Sequence, residues 1–504
     1  MYEAQLPDNQ IPLMESHMKT RLIALAAMAA VGSAHALSPA QIDAARTAGT
    51  LKEVYMAGGS AQRLFVGAWF QAQCNPSTFD VFFNGTGAAP SGSNYRAYSC
   101  NLKKKVGNWV VGTPVLFVKR DAGGSFQGVN PIATATPQDL MAVNGTCTAT
   151  GNASPATDIL VPSFACNNTV SRLADAGVSD VEPALFQKPV NLPAPQVKVD
   201  TTTLDSKAFN QTIMGVVVNK KLYRALQEAQ GLIAAGGVID EAPNKMPTLS
   251  RTFVASAMSG QLTGSTADKR GWNIVVPASV DAAVLGKQVN VCRRNIGSGT
   301  QASFNVELLN AGCGTGTATY APVGQTVGTD NSTVVASPAL AETGTLAWNL
   351  GSGSGAVETC LGTTVEGLPG TAYAIGMLSR ENTPTPTGTS TDKGYRFVKL
   401  DGVSPARDSA KVGNYKFVYN ATMQWSKTTL TDADVKAFLT ALRANGGKAA
   451  QLNVADVDTQ QGVMAAPASY TGAYEDQTDP VTLKFASRMD RNIAASCSPM
   501  RIVK

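Results

Sequence analysis

The chain has 504 residues, 44% of them hydrophobic and 15% charged, with 47 glycines and 41 Lys plus Arg against 36 Asp plus Glu. That length and composition suit two or three globular domains and exclude a disordered chain, and a balance this weak does not signal nucleic acid. The only two histidines, His17 and His35, stand near the start.

In chain order, Lys19 and Arg21 form a basic region ahead of an apolar run over 22–31, which is too short to span a bilayer. Ala34-His35-Ala36 is a small-residue cleavage signal, so residues 1–36 read as an upstream extension plus signal peptide. Met18 is the expected initiator and Leu37 the expected first mature residue. Cleavage there leaves 39 basic and 33 acidic side chains, a net +6, and no histidine. Ser-His-Asp and Cys-His catalysis are thereby excluded, and the commonest transition-metal ligand is gone. No enzyme, no metal, no cofactor and no membrane span in the mature chain are expected.

A helix is expected over 39–48, a strand over 51–56, the turn Ala57-Gly58-Gly59-Ser60-Ala61, and a helix over 62–73 carrying Leu64, Phe65, Ala68, Trp69 and Phe70. Residues 75–108 read as a β-rich excursion. A strand over 113–119 runs into a second glycine turn ending Gly123-Gly124-Ser125, and 136–170 read as a loop insertion. A third strand over 173–180 ends in Ser179-Asp180. A buried strand over 209–219, a helix over 221–235 and a helix from 246 to about 260 follow.

The central segment is Arg293-Arg294-Asn295-Ile296-Gly297-Ser298-Gly299-Thr300. An apolar strand over 288–292 precedes it and a helix over 301–310 follows. The glycines allow a tight turn, Ser298 and Thr300 bring hydroxyls to the first helical turn, and the unpaired amides there favour an anion. Arg294 can add a planar fork. Arg293 reads as a surface or inter-lobe ion pair, and Arg120 with Asp121 as an ion pair beside the site.

Residues 313–360 form an insertion of turns and short strands. Strands over 372–378, 395–400 and 415–419 come next, then a helix over 431–444 with Thr431 as N-cap and Gly446 beyond its end. Alternating strands and helices give an α/β architecture. Eight cysteines without a C-x-x-C spacing imply disulfides in an oxidising compartment; Cys74 with Cys100 and Cys147 with Cys166 are local candidates, and Cys292, Cys313, Cys360 and Cys497 stay open.

Arg294-Asn295-Ile296-Gly297-Ser298-Gly299-Thr300 resembles the R-x-x-G-S-G-T segment of periplasmic phosphate-binding proteins, the substrate-binding components of phosphate ABC transporters. Gly58-Gly59-Ser60-Ala61, Gly124-Ser125 and Ala176-Gly177-Val178-Ser179-Asp180 are similar to that family's other ligand turns, in the same order. The resemblance implies a two-lobed type II periplasmic-binding-protein fold with β-rich, disulfide-bearing insertions. Lobe one would take 37–212 and 413–504, lobe two 213–412, with the ligand cleft between. It implies inorganic phosphate held by Ser60, Ala61, Ser125, Asp180, Arg294, Ser298, Gly299 and Thr300, delivery to an ABC transporter permease, and a periplasmic or cell-surface location.

Ala61 departs from the bulky residue usual at its place, and 420–504 match less. An ionised Asp180 only accepts hydrogen bonds, so it would welcome a protonated oxyanion and repel sulfate. Read locally, Asp180 fits a helix N-cap or a surface charge equally well. A secreted or surface protein reusing the fold for scavenging, adhesion or assembly is the alternative function; a phosphate-ester hydrolase lacks a histidine or clustered metal carboxylates.

Overall fold

Fourteen strands hydrogen-bond into one sheet in the computed structural model of the chain. It describes residues 1, 36–85, 94–262, 271–313, 321–327, 332–385, 391–454, 462–466, 478–491 and 497–502. In chain order the elements framing the site begin with helix α1 (Pro39–Thr47), strand β1 (Lys52–Gly58), helix α2 (Arg63–Gln71) and strands β2 (Asp80–Phe83), β3 (Tyr95–Asn101), β4 (Pro114–Arg120), β5 (Ala176–Ser179) and β6 (Leu204–Asn219). Helices α3 (Lys220–Ala229) and α4 (Arg251–Met258), strand β7 (Val289–Arg294), helix α5 (Gly299–Glu307) and strands β8 (Leu346–Gly351), β9 (Ala374–Ser379), β10 (Tyr395–Phe397) and β11 (Val418–Ser426) follow, then helix α6 (Ala433–Gly446).

The spatial order is β8-β7-β9-β6-β11-β5-β1-β4-β3-β2, with two short strands beyond β2, and with β10 and the short strand Val463–Met464 on β6. β1 runs parallel to β4 and β5, and β7 runs parallel to β8 and β9. Apart from β8, which lies at the sheet edge and is only partly buried, these strands are buried along most of their length, as parallel strands covered on both faces must be, which is why they read as near-continuous apolar runs. β6 joins the two parallel sets. Leu204 to Ile213 pair antiparallel with β11, and Met214 to Val218 pair antiparallel with β9.

Separate apolar clusters fasten helices to each half. On the β1 side, Phe65, Trp69 and Phe70 of α2 meet Phe117 of β4 and Phe438 of α6. The Phe438 ring lies 5.5 Å from that of Trp69 and 4.9 Å from that of Trp109. Truncating a ring so enclosed costs about 3–5 kcal/mol, so Phe438→Ala is the single change best placed to loosen this half. On the β7 side, Ala302, Phe304 and Val306 of α5 pack with Val289, Val291, Ile375 and Trp272.

The α/β class is as expected, and several local expectations need correction. The segment 75–108 is no excursion, because β2 and β3 are strands of the main sheet. α3 stops at Ala229, well short of 235, since Gly231 takes φ +65 and turns the chain out of the helix. α5 begins at Gly299 and ends at Glu307 rather than spanning 301–310. Asp432, not Thr431, caps α6, accepting from the amides of Asp434 and Val435; Gly446 is the last helical residue rather than a stop beyond it. A carboxylate accepts two amides at once, which a hydroxyl does less well.

Four disulfides close the chain: Cys74–Cys100, Cys147–Cys166, Cys292–Cys360 and Cys313–Cys497. The first two are the local pairs expected. The third ties β7 to the helical turn after β8, and the fourth joins positions 184 residues apart. Among the described residues no helix is long and apolar enough to cross a membrane. The signal segment up to His35 lies outside the described residues.

Candidate functional site

Six strands deliver their C-terminal ends to one place. β1 leads into Gly59-Ser60-Ala61, β4 into Gly124-Ser125, β5 into Asp180, β7 into Ser298-Gly299-Thr300, β8 into Ser352 and Ser354, and β9 into Glu381-Asn382. The ends of parallel strands at a change of strand order are where α/β sheets form ligand clefts.

Arg294, the last residue of β7, is 1% exposed. Its Nε donates to the Gly351 carbonyl at 3.2 Å and its Nη2 to the Ser352 carbonyl at 3.1 Å. These bonds aim Nη1 at the hydroxyls of Ser60 (3.3 Å) and Ser354 (3.5 Å). No carboxylate of the described residues lies in ion-pair contact with it. Burial draws its pKa down to about 10, against the opposing pull of Asp180. A guanidinium held dry by neutral carbonyls and hydroxyls is short of negative charge, and an anion is what the position lacks.

Asp180, also 1% exposed, faces it from the end of β5. Its amide donates to Ser125 Oγ at 3.0 Å, and its Oδ1 has no hydrogen-bond partner. Burial pushes the carboxyl up to about 6, while Arg294, the Ser125 hydroxyl and Lys119 pull it back. Two glycines wedge this carboxylate. A methyl on Gly59 would fall 2.3 Å from Oδ1, and one on Gly299 would fall 2.9 Å from Oδ2 and 2.4 Å from Ser125 Oγ. Only glycine permits that approach at either place.

Backbone contacts hold the turns together. Phe126 N–H donates to the Gly297 carbonyl at 2.9 Å, and Gly59 N–H donates to the Val178 carbonyl at 2.8 Å. Ser60 and Ala61 open a 3-10 turn that runs into α2. Ser298 caps α5, its hydroxyl accepting from Gln301 N, so its own proton stays available to donate. Gly299 and Thr300 head α5, where amides have no intrahelical acceptor. Thr300 is 1% exposed.

The structure therefore gathers Ser60, Ser125, Asp180, Arg294 and Gly299 in direct contact, with Ala61, Ser298 and Thr300 buried in the adjoining turns. Two expectations are overturned. Arg120 does not pair with Asp121; it donates to Gln127 at 3.1 Å and Gln138 at 2.7 Å, while Asp121 pairs with buried Lys119 at 2.6 Å. Consecutive residues of a strand point to opposite faces, so Asp121 meets Lys119 and not its neighbour. Lys119 Nζ also donates to the carbonyls of Gly58 and Gly59, which steadies the first turn. Arg293 is neither on the surface nor ion-paired with a described residue. It is fully buried and donates to the carbonyls of Val323 (2.7 Å) and Arg294 (2.9 Å).

Sequence reading missed Ser354, Lys119, Arg63, Glu381 and Asn382. Ser354 sits inside a stretch taken as an insertion. Arg63 stands three residues after Ser60, a spacing that could have marked it.

No protein-family profile matches the chain, and no curated protein is found similar to it. Structures that resemble it include a candidate phosphate ABC transporter substrate-binding protein of Clostridium perfringens with bound phosphate: 12% identity, TM-score 0.37, covering 82% of this chain and 99% of that one. An ABC-type phosphate transport receptor of Vibrio cholerae gives 13% identity and TM-score 0.35, covering 80% and 96%. PstS of Borrelia burgdorferi gives 10% and 0.32, covering 82% and 98%. Likeness at this level assigns no ligand to this chain.

Proposed function

We propose that the chain is an exported solute-binding protein that captures a protonated tetrahedral oxyanion, inorganic phosphate, and hands it to an ABC transporter. The carrying observation is Asp180: a buried carboxylate with an orphan Oδ1, placed among donors. The hydroxyls of Ser60, Ser125, Ser298, Thr300 and Ser354, the amides at the head of α5 and the Arg294 fork supply hydrogen bonds to an oxyanion. An ionised Asp180 supplies an acceptor, which only a ligand oxygen still carrying its proton can satisfy.

In this reading, lobe one comprises 37–212 and 413–504 and lobe two 213–412, with β6 passing between them where its pairing changes at Ile213 and Met214. Ser60, Ser125 and Asp180 would come from one lobe and Arg294, Ser298, Gly299 and Ser354 from the other, so ligand binding and lobe closure are one event. In this reading the site holds its ligand rather than transforming it; a hydrolase would need a nucleophile with a base or a metal.

Calorimetric titration of phosphate, arsenate, sulfate and molybdate into ligand-stripped protein tests the reading. Phosphate and arsenate should bind and sulfate should not. Sulfate bound as tightly as phosphate would overturn it.

A further inference from the structure

Beside the Arg294 and Asp180 site lies a second buried cation that the single-phosphate reading leaves without an occupant. Arg63, first residue of α2, is 1% exposed. Its one hydrogen bond is a long one, Nη2 to Asn382 Oδ1 at 3.4 Å, and its Nε has no partner. No carboxylate of the described residues is in ion-pair contact with it. A guanidinium has five N–H donors, and burying it with Nε unpartnered, one long bond and no carboxylate in ion-pair contact carries a heavy desolvation cost.

Its neighbours do not neutralise it. Glu381, 2% exposed, spends one oxygen on the Ser379 hydroxyl at 3.5 Å and leaves Oε2 without a partner. Burial raises the Glu381 carboxyl well above the usual range, Arg63 draws it back, and the two groups stand outside ion-pair contact. Asn382 is turned by bonds from its Nδ2 to the Ser379 carbonyl (3.0 Å) and hydroxyl (3.1 Å), which point its Oδ1 at Arg63. Arg63 and Glu381 both act electrostatically on Arg294, Arg63 lowering its pKa and Glu381 raising it, so the cluster adjoins the first site.

We propose that Arg63, with Glu381 and Asn382, forms a second oxyanion subsite of the same cleft, and that the ligand carries two anionic groups, as a condensed phosphate does, rather than one. The inference rests on the anion-binding reading above and narrows its substrate class. The first group sits on Arg294 with its proton toward Asp180. The second takes the Arg63 fork, beside Glu381 Oε2 and Asn382 Oδ1.

The test is calorimetric titration of orthophosphate and pyrophosphate into the wild-type chain, Arg63→Gln and Arg294→Gln. Pyrophosphate should bind wild type about tenfold or more tightly than orthophosphate. Arg63→Gln should erase that advantage while changing orthophosphate affinity less than about threefold, and Arg294→Gln should weaken both. Wild type binding orthophosphate as tightly as pyrophosphate would sink the second subsite and leave the first intact. Equal losses of both ligands in Arg63→Gln would make Arg63 a second arm on a single anion and equally refute it. Binding of neither anion to wild type would remove the parent reading and this one together. Circular dichroism confirms that each variant is folded; should Arg63→Gln fail to fold, Arg63→Lys, which keeps charge but loses the fork, is read by the same criteria.

Discussion

Replacing Asp180 by Asn separates stability from specificity. Burial raises the Asp180 carboxyl from 3.8 to about 6. A folded-state pKa above the unfolded one means the native chain holds a proton more tightly. That contribution is fully present below about pH 4 and is lost as pH rises through about 6. The shift of roughly two units corresponds to about 3 kcal/mol at neutral pH. Asp180→Asn should therefore stabilise the ligand-free protein by up to that amount at pH 7, and the gain should fade as pH is lowered toward 4. Binding moves the other way. A proton-free oxyanion about 4 Å from an ionised carboxylate meets roughly 4 kcal/mol of repulsion per unit charge at an effective dielectric near 20. Removing the charge should cut the phosphate-over-sulfate ratio by about a hundredfold or more, while the amide carbonyl still accepts from P–OH. Urea unfolding from pH 4 to 8 and titration of both anions at one pH measure the two halves. An unchanged anion ratio would remove Asp180 from the site, and a pH-independent stability difference would refute the burial argument.

Arg294→Ala should weaken anion binding by about 2–5 kcal/mol, seen in the same calorimetry. Arg293→Ala should leave binding nearly intact and lower the urea midpoint, because the carbonyls of Val323 and Arg294 lose their donor. Gly59→Ala should lower phosphate affinity at least tenfold, since the new methyl meets Asp180 Oδ1 at 2.3 Å; wild-type affinity in this variant would show that the turns do not close as described. Opening Cys313–Cys497 with a pair of serines should cost about 5 kcal/mol by the loop-entropy estimate for so long a loop, read as a fall in the thermal midpoint. Secreted protein should begin at Leu37 by N-terminal mass spectrometry, and an intact Met18 segment on mature protein would refute cleavage.

Local chemistry was legible in the sequence wherever short-range physics decides. Apolar β-branched runs made the parallel strands readable, glycine and hydroxyl residues after them marked the turns, and Gly297-Ser298-Gly299-Thr300 announced a helix head. Ser60, Ser125 and Asp180 stand in the turns that follow β1, β4 and β5, and Arg294 ends β7, places such local signals mark. Cys74 with Cys100 and Cys147 with Cys166 are close along the chain, so proximity sufficed.

What depends on long-range pairing was not readable. Arg293 and Arg294 are adjacent and chemically identical; only the pleat of β7, which sends one side chain to Val323 and the other to Ser60, tells them apart. Asp121 pairs with Lys119 and not with Arg120 for the same reason. Cys313 meets Cys497 across 184 residues, a separation at which sequence carries no pairing signal. Arg63, Ser354 and Glu381 lie far apart in the chain, and only the sheet order brings β1, β8 and β9 to a common end. Burial, which raises Asp180 and strips Arg63 of water, is a property of the packed whole. A residue's type states what it can donate or accept, and the tertiary structure decides whether water is there to do it instead.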